Sequence, residues 1–209
     1  MLIAVSRRGV LFFRSQEITV KQQEELGTRL GKLSGKPTTS KLHIHPLTPE
    51  FSEQGDYISV IDADFNRISH DADNDDKSLL ASNGWHAEYP PPNSQTGADG
   101  SYSITFEKTP SDYAILKIHT LPETGGDTLW ASAYEAYDRL SLPYRTFLEG
   151  LTAVHSAQKF KTIAAHYGRN VRTNERGAPD NVGDDLRAIH PVVRTNPITG
   201  WKGLFVNKE

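Results

Sequence analysis

The residues best suited to chemistry are a histidine and a carboxylate two positions apart, His86 and Glu88, directly after Trp85. On a β-strand, residues i and i+2 point to the same face, so one imidazole nitrogen and one carboxylate oxygen could bind a single metal ion. Two ligands do not hold a catalytic iron, because the 2-His-1-carboxylate site needs a second histidine. The pair therefore predicts part of a metal site.

Other histidines and acidic residues are weaker candidates. His43 and His45 lie in the alternating segment 42–46, which places both side chains on one face. His155 and His190 lie in strand-like segments, where a histidine is more often a core or rim residue than a metal ligand. The acidic segment 71–76 lacks the glycine and the final glutamate of a calcium-binding EF-hand loop, so it indicates a solvated loop.

The composition indicates one globular domain. The chain has 209 residues and a mass of 23.2 kDa, which is long enough to bury a core, although 36% hydrophobic residues is low for a compact fold. A net charge of -3 and a pI near 6.2 favour neither nucleic acid nor an anionic membrane as a partner. The absence of cysteine excludes disulfides, thiolate zinc sites and cysteine nucleophiles. No apolar run is long enough for a signal peptide or a membrane span, so we expect a cytoplasmic protein.

Hydrophobic periodicity predicts many short strands and a few helices. The predicted strands are residues 9–14, 57–62, 113–119 and 151–155, with a C-terminal hairpin of 188–194 and 203–207 around a turn at 196–200. The predicted helices are residues 20–31 with Thr19 as N-cap, 133–140 with Ser132 as N-cap, and 143–150. Residues 34–40 and 168–187 read as loops, the latter with a weak helix as the alternative. The pattern favours a β-rich α+β fold with helices packed outside.

Residues 89–101 interrupt this pattern. Residues 89–100 include three prolines and two glycines, which cannot continue a central strand. We therefore expect an inserted surface loop directly behind the candidate metal site. A retained intron or a mis-predicted exon junction is an alternative origin for this segment.

Several motifs are distributed along most of the chain. They are RGVLFFR at 8–14, LHIHP at 42–46, NGWH at 83–86, PETGGDTLWAS at 122–132, GLTAVH at 150–155, HPVVRT at 190–195 and LFVN at 204–207. In combination, they resemble the taurine/sulfonate dioxygenase-like (TauD/TfdA) family of iron(II)- and 2-oxoglutarate-dependent dioxygenases. The residues of these motifs are most similar to those of fungal members. The resemblance implies a double-stranded β-helix (jelly-roll) core.

The same resemblance implies roles for four residues. His86 matches the first iron ligand, and Glu88 lies near the place of the family's aspartate ligand. Thr128 matches the threonine that contacts the cosubstrate 2-oxoglutarate. His45 matches a histidine that contacts the sulfonate in taurine-oxidising members, while Thr48 replaces a tyrosine of those members, so taurine itself is not implied. The implied reaction uses Fe(II), 2-oxoglutarate and O2 to oxidise a small organic acid such as a sulfonate, with succinate and CO2 as co-products.

Two departures from the family pattern bear on activity. If the insert follows Glu88, then Glu88 replaces the aspartate; if the insert follows His86 directly, Ser103 takes that place and the site has no carboxylate. The family's distal histidine and arginine lie beyond the LFVN motif, and the sequence stops at Glu209. We therefore expect residues 1–209 to form a single partial domain that lacks its C-terminal jelly-roll strands.

These departures predict impaired turnover by this chain alone. The alternative is a non-catalytic pseudoenzyme or truncated gene product that retains part of the fold. A partial jelly roll exposes sheet edges and apolar faces, so we also expect poor solubility or homo-oligomers.

Overall fold

A computed structural model describes residues 1–50, 55–60, 104–120, 123, 130–166 and 168–206, which form a mixed α/β structure with two small sheets. The helices in these residues are α1 (Leu2–Arg8), α2 (Val20–Leu33), α3 (Ala133–Asp138), α4 (Leu142–Glu149) and α5 (Lys159–His166). The strands are β1 (Thr152–Ser156), β2 (Arg187–Pro191), β3 (Val193–Thr195) and β4 (Lys202–Leu204). Across this part of the chain, no helix combines the length and the apolar character needed to cross a membrane.

Helix α2 confirms the first predicted helix and its N-cap. The Thr19 hydroxyl accepts a hydrogen bond from the Gln22 backbone N–H, and the Gln22 side chain accepts one from the Thr19 backbone N–H. This reciprocal pair satisfies two amide groups that a helix start would otherwise leave unpaired. The helix ends at Leu33, two residues beyond the glycine that the sequence suggested as its end.

Helices α3 and α4 also lie where the sequence predicts them. Ser132 caps α3 by accepting from the Glu135 N–H at 3.2 Å. Helix α4 has a proline in its first turn, where a missing N–H leaves no hydrogen bond unmade. Tyr144 and Phe147 of α4 are more than half exposed.

The four strands form two antiparallel pairs. Strand β1, a confirmed prediction, pairs with β2 in a register that places Val154 opposite Ile189 and His155 opposite Ala188. Strands β3 and β4 form a C-terminal hairpin around the predicted turn, but residues 188–191 of its predicted first strand belong to β2 and pair with β1 instead. Within the described residues each sheet has two strands, so the larger jelly-roll core stays a prediction.

Residues 9–14 form no strand, contrary to the prediction. Helix α1, which was not predicted from the sequence, precedes them and is capped at its C-terminus by Gly9, with φ 75°. Phe12 and Phe13 are 72% and 63% exposed, and the Phe12 ring meets the Trp130 ring edge-on. An apolar run becomes a strand only where another strand pairs with it, and neither described sheet includes this segment.

Two further strand predictions are wrong where the structure describes them. Residues 57–60 lie in a turn and an irregular segment, while 61–62 lie outside the described residues. Residues 113–119 belong to neither sheet, although they show alternating exposure. Side-chain hydrogen bonds hold this segment in place of strand pairing. Gln23 Nε2 donates to the Ile115 carbonyl at 2.8 Å, and Lys117 Nζ donates to the Ile18 carbonyl at 2.7 Å.

The main apolar core is centred on Phe160 of α5, a helix that the sequence analysis missed. Phe160 is fully buried, and the Phe106 ring meets it edge-on at 5.6 Å. Leu186 and Val171, from the confirmed loop after α5, also pack in this cluster, with Leu47 at its edge. The core therefore brings residues 104–107, α5 and the segment around His45 together.

Candidate functional site

Three of the four residues with predicted roles at the site lie outside the described residues: His86, Glu88 and Thr128. The insert at 89–101 and Ser103 also lie outside them. Among the described residues, no three histidine, aspartate or glutamate side chains are grouped so that they could hold a metal ion. The iron and cosubstrate assignments therefore stay predictions, and the described part of the candidate site is the region around His45.

His45 lies at the start of a tight turn and is buried, with 9% of its surface exposed. The backbone N–H of Leu47 donates to its Nδ1 at 3.2 Å. Since Nδ1 accepts this bond, the neutral ring carries its proton on Nε2. The ring also lies against Phe160, with the centroids 5.1 Å apart. The His45 ring is therefore held on one side by a backbone hydrogen bond and on another by an aromatic contact.

Thr48 completes the turn. Its backbone N–H donates to the His45 carbonyl at 2.9 Å, and its hydroxyl lies 3.1 Å from the hydroxyl of Ser59. Thr48 is 6% exposed. A threonine is shorter than the tyrosine that the resemblance places here, so this position does not reproduce a tyrosine contact.

A buried ion pair lies beside this turn. Arg176 donates to Glu107 through Nε at 2.6 Å and Nη2 at 3.0 Å, and each side chain is 2% exposed. His43 Nε2 lies 3.1 Å from the same carboxylate. Arg176 Nη1 also donates to the carbonyl oxygens of Arg172 and Gly183, both at 2.8 Å. His43 therefore has a structural partner in Glu107.

The charge state of Glu107 follows from these contacts. Burial alone would raise its pKa, but hydrogen bonds from His43 and Arg176 outweigh burial and hold the pKa below the usual 4.5. The carboxylate is ionised at neutral pH and balances the charge of Arg176. A metal cation at this carboxylate would compete with Arg176, so the His43–Glu107 pair does not fit an iron site.

His190 and His155 pack against each other as buried histidines. His190 Nε2 lies 2.9 Å from the backbone carbonyl oxygen of Glu107, and His155 Nε2 lies 3.2 Å from that of Phe205. The two imidazole rings meet edge-on, 5.1 Å apart. Burial, and then the neighbouring His190, lowers the pKa of His155. These contacts give both histidines the core positions that the sequence favours.

Sequence reasoning missed the roles of Glu107 and Arg176. Glu107 was assigned no role from the sequence, and Arg176 lies in a polar loop without periodicity. The available signal was a carboxylate next to apolar residues, since a buried carboxylate needs a partner. Nothing in the spacing identifies that partner, which is 69 positions away.

Comparison with known proteins identifies a family that the sequence matches. The sequence matches the family described as taurine catabolism dioxygenase TauD, TfdA over residues 2–209. It is 38% identical to the alpha-ketoglutarate-dependent dioxygenase oryG of Aspergillus oryzae over 206 residues, covering 98% of this chain and 55% of that protein. It is also 38% identical to the alpha-ketoglutarate-dependent dioxygenase btcD of Neocamarosporium betae over 213 residues, covering 98% of this chain and 58% of that protein.

A more distant relative is itself named after a substrate class. The alpha-ketoglutarate-dependent sulfonate dioxygenase of Saccharomyces cerevisiae is 29% identical over 217 residues, covering 100% of this chain and 42% of that protein. The chain spans about half the length of the curated relatives it matches. The match along residues 2–209 confirms the resemblance seen in the motifs, and the chain belongs to the taurine catabolism dioxygenase TauD, TfdA family.

Proposed function

We propose that this protein is an Fe(II)- and 2-oxoglutarate-dependent dioxygenase that oxidises a small organic acid such as a sulfonate, with succinate and CO2 as co-products. Family membership and the names of the relatives support the reaction class. The observation that carries the substrate class is the buried imidazole of His45, whose Nε2 is a donor. Such a donor suits an oxygen of a sulfonate or carboxylate group.

The proposed iron ligands are His86 and Glu88, and the proposed contact of 2-oxoglutarate is Thr128. These assignments come from the family resemblance of their motifs. Bound iron and 2-oxoglutarate would supply the oxidising chemistry. Glutamate is one methylene longer than the family's aspartate, so Glu88 would push its oxygen outward unless the backbone adjusts. We therefore expect weak iron binding and slow turnover.

The proposed role of His45 is to hold the acidic group of the substrate. A hydrogen bond from Nε2–H to an anionic oxygen is stronger away from water, and the packing against Phe160 removes one face of the ring from solvent. A jelly-roll core is the proposed framework that would bring His45 near His86.

The test is iron-dependent formation of succinate from 2-oxoglutarate by the purified chain, with and without short alkanesulfonates. We expect slow succinate formation that requires Fe(II) and increases with a sulfonate. Sulfite should appear where the hydroxylated carbon carries the sulfur. His45→Ala should lose the sulfonate-dependent increase. His119→Ala changes an exposed histidine outside the proposed site and is the matched control.

Substitutions of Glu88 test the carboxylate ligand separately. Glu88→Asp restores the family's shorter side chain and should raise both iron affinity and succinate formation. If Glu88→Ala changes neither, Glu88 is not a ligand and the alternative with Ser103 in its place is favoured. Folded protein without any iron-dependent succinate formation would favour a non-catalytic member of the family.

A further inference from the structure

A stack of rings around His155 joins the two small sheets. The His155 ring of β1 lies nearly parallel to that of Phe205, the residue after β4, with the centroids 4.8 Å apart. The His190 ring of β2 meets the His155 ring edge-on at 5.1 Å. The Arg194 guanidinium of β3 lies over the Phe205 ring, 4.6 Å from its centroid. The stack therefore connects the β1–β2 sheet to the β3–β4 hairpin.

The hydrogen bonds of His155 determine which ring nitrogen carries the proton. Its Nε2 lies 3.2 Å from the Phe205 carbonyl oxygen, and because a carbonyl oxygen can only accept, Nε2 carries the hydrogen. The other nitrogen, Nδ1, is buried and has no hydrogen-bond partner among the described residues. The whole residue is 0% exposed. A second proton on Nδ1 would therefore create a buried charge without an acceptor.

The surroundings of His155 also oppose its protonation. Burial is the largest cause that lowers its pKa, and the neighbouring His190 is the second. The bond to the Phe205 carbonyl raises the pKa by less, and Arg194 lowers it slightly further. The folded structure thus favours the neutral imidazole more strongly than an exposed position does.

The Glu107 carboxylate does not balance a charge in this stack. The Glu107 backbone carbonyl oxygen lies 2.9 Å from His190 Nε2, but the carboxylate binds Arg176 and lies 3.1 Å from His43 Nε2. Its pKa lies below 4.5, so it remains ionised above about pH 5. A response of this region to mild acid would therefore not come from Glu107.

We propose that His155 makes the contact between the β3–β4 hairpin and the β1–β2 sheet sensitive to mild acid. At neutral pH the imidazole is neutral, stacks on Phe205 and donates to its carbonyl. As the pH falls below 6.5, the ordinary pKa of histidine, an exposed imidazole binds a proton more readily than the buried one. Acid thus favours a state in which Phe205 leaves the ring and the hairpin separates from β1. This inference is independent of the proposed oxygenase reaction.

Hydrogen exchange of the full chain, followed by mass spectrometry between about pH 5 and pH 7.5, tests this response. Residues 192–206 include the Phe205 N–H, which donates to the Val192 carbonyl at 2.7 Å. After correction for the intrinsic pH dependence of amide exchange, their exchange should accelerate by up to about tenfold per pH unit below pH 6.5, the effect of one added proton. Exchange in α2 should show no such acceleration.

Variants of His155 separate its role from general effects of acid. His155→Gln keeps a donor for the Phe205 carbonyl but takes up no proton in this pH range, so exchange in residues 192–206 should lose its pH dependence. His155→Phe keeps a ring on Phe205 and decides the outcome if His155→Gln does not fold. His119→Gln changes an exposed histidine and is the matched control, which should respond like the wild type.

Three results would overturn the proposal. The first is corrected exchange in residues 192–206 of the wild type that is the same at neutral and at mildly acidic pH. The second is a pH dependence in the His155 variants that equals that of the wild type. The third is an equal acceleration in α2, because it would show that acid unfolds the chain as a whole.

Discussion

The region around Glu107 and the outer face of the β1–β2 sheet are built in opposite ways. Glu107 and Arg176 lie in irregular segments, carry opposite charges and are each 2% exposed. Val154 and Ile189 lie opposite each other in a regular ladder and are 57% and 70% exposed. The described structure thus buries a pair of charges and exposes a pair of large apolar side chains.

The difference lies in which groups supply the hydrogen bonds. In the β1–β2 ladder, backbone groups pair with backbone groups, so the pairing does not require particular side chains. Around Glu107, side chains supply the partners, so removing one leaves another buried without its partner. We therefore expect substitutions near Glu107 to have large effects and substitutions on the outer sheet face to have small ones.

The largest effect should come from Glu107→Ala. It leaves the guanidinium of Arg176 buried without its carboxylate, which should lower the free energy of unfolding by about 3–5 kcal/mol. Urea denaturation followed by circular dichroism measures this change. Glu135→Ala removes a carboxylate from an exposed ion pair and serves as the matched control, with little expected change. A loss no larger than the control's would contradict the importance of the buried pair.

Gly177→Ala should have the next largest effect. Alanine meets two difficulties there: a left-handed backbone, and a Cβ atom 2.6 Å from the Leu42 carbonyl oxygen. Gly200→Ala is the matched control, because it shares the positive φ but has no atom within 4 Å of the added Cβ. The control should lose about 1–2 kcal/mol for backbone strain alone. Thermal melting should show a larger decrease in melting temperature for Gly177→Ala than for Gly200→Ala. Equal decreases would contradict a steric cost of the added Cβ atom at position 177.

Protonation of Glu107 in acid should lower the free energy of unfolding. The folded-state pKa of Glu107 lies below its ordinary value of 4.5. The stability contributed by its ionised form is therefore complete above about pH 4.5 and is lost as the pH falls through the folded-state pKa. Glu107→Gln should differ most from the wild type in unfolding free energy at neutral pH and least in acid. A difference that does not change with pH would contradict this assignment.

The smallest effect should come from Val154→Thr or Ile189→Thr. Threonine keeps the branched Cβ that suits a strand, and the side chains lose little buried area. We expect changes in unfolding free energy within about 0.5 kcal/mol. A loss comparable to that of Glu107→Ala, measured in the same urea series, would show that this face is covered in solution.

The sequence predicted the elements whose signals are local. Thr19 with Gln22, and Ser132 before α3, are capping residues whose partners lie within three positions, and both helices were found. The turn of the β3–β4 hairpin is equally local, since Asn196 Oδ1 accepts from the N–H groups of Ile198 and Thr199.

Features that depend on distant partners were not predictable. Residues 113–119 alternate in exposure like a strand. The Ile115 carbonyl accepts a hydrogen bond from the Gln23 side chain, however, and not from a neighbouring strand. Glu107 and Arg176 carry no local sign of their pairing. His45 was found through the family resemblance, whereas its tautomer depends on the Leu47 N–H and was not predictable from spacing.

The most direct test of the proposed function is calorimetric titration of 2-oxoglutarate into the chain under anaerobic conditions, with and without Fe(II). We expect binding that requires Fe(II), is lost in His86→Ala and is weakened in Thr128→Ala, while His119→Ala behaves like the wild type. Binding that is equal with and without Fe(II), or that is unaffected by His86→Ala, would contradict it.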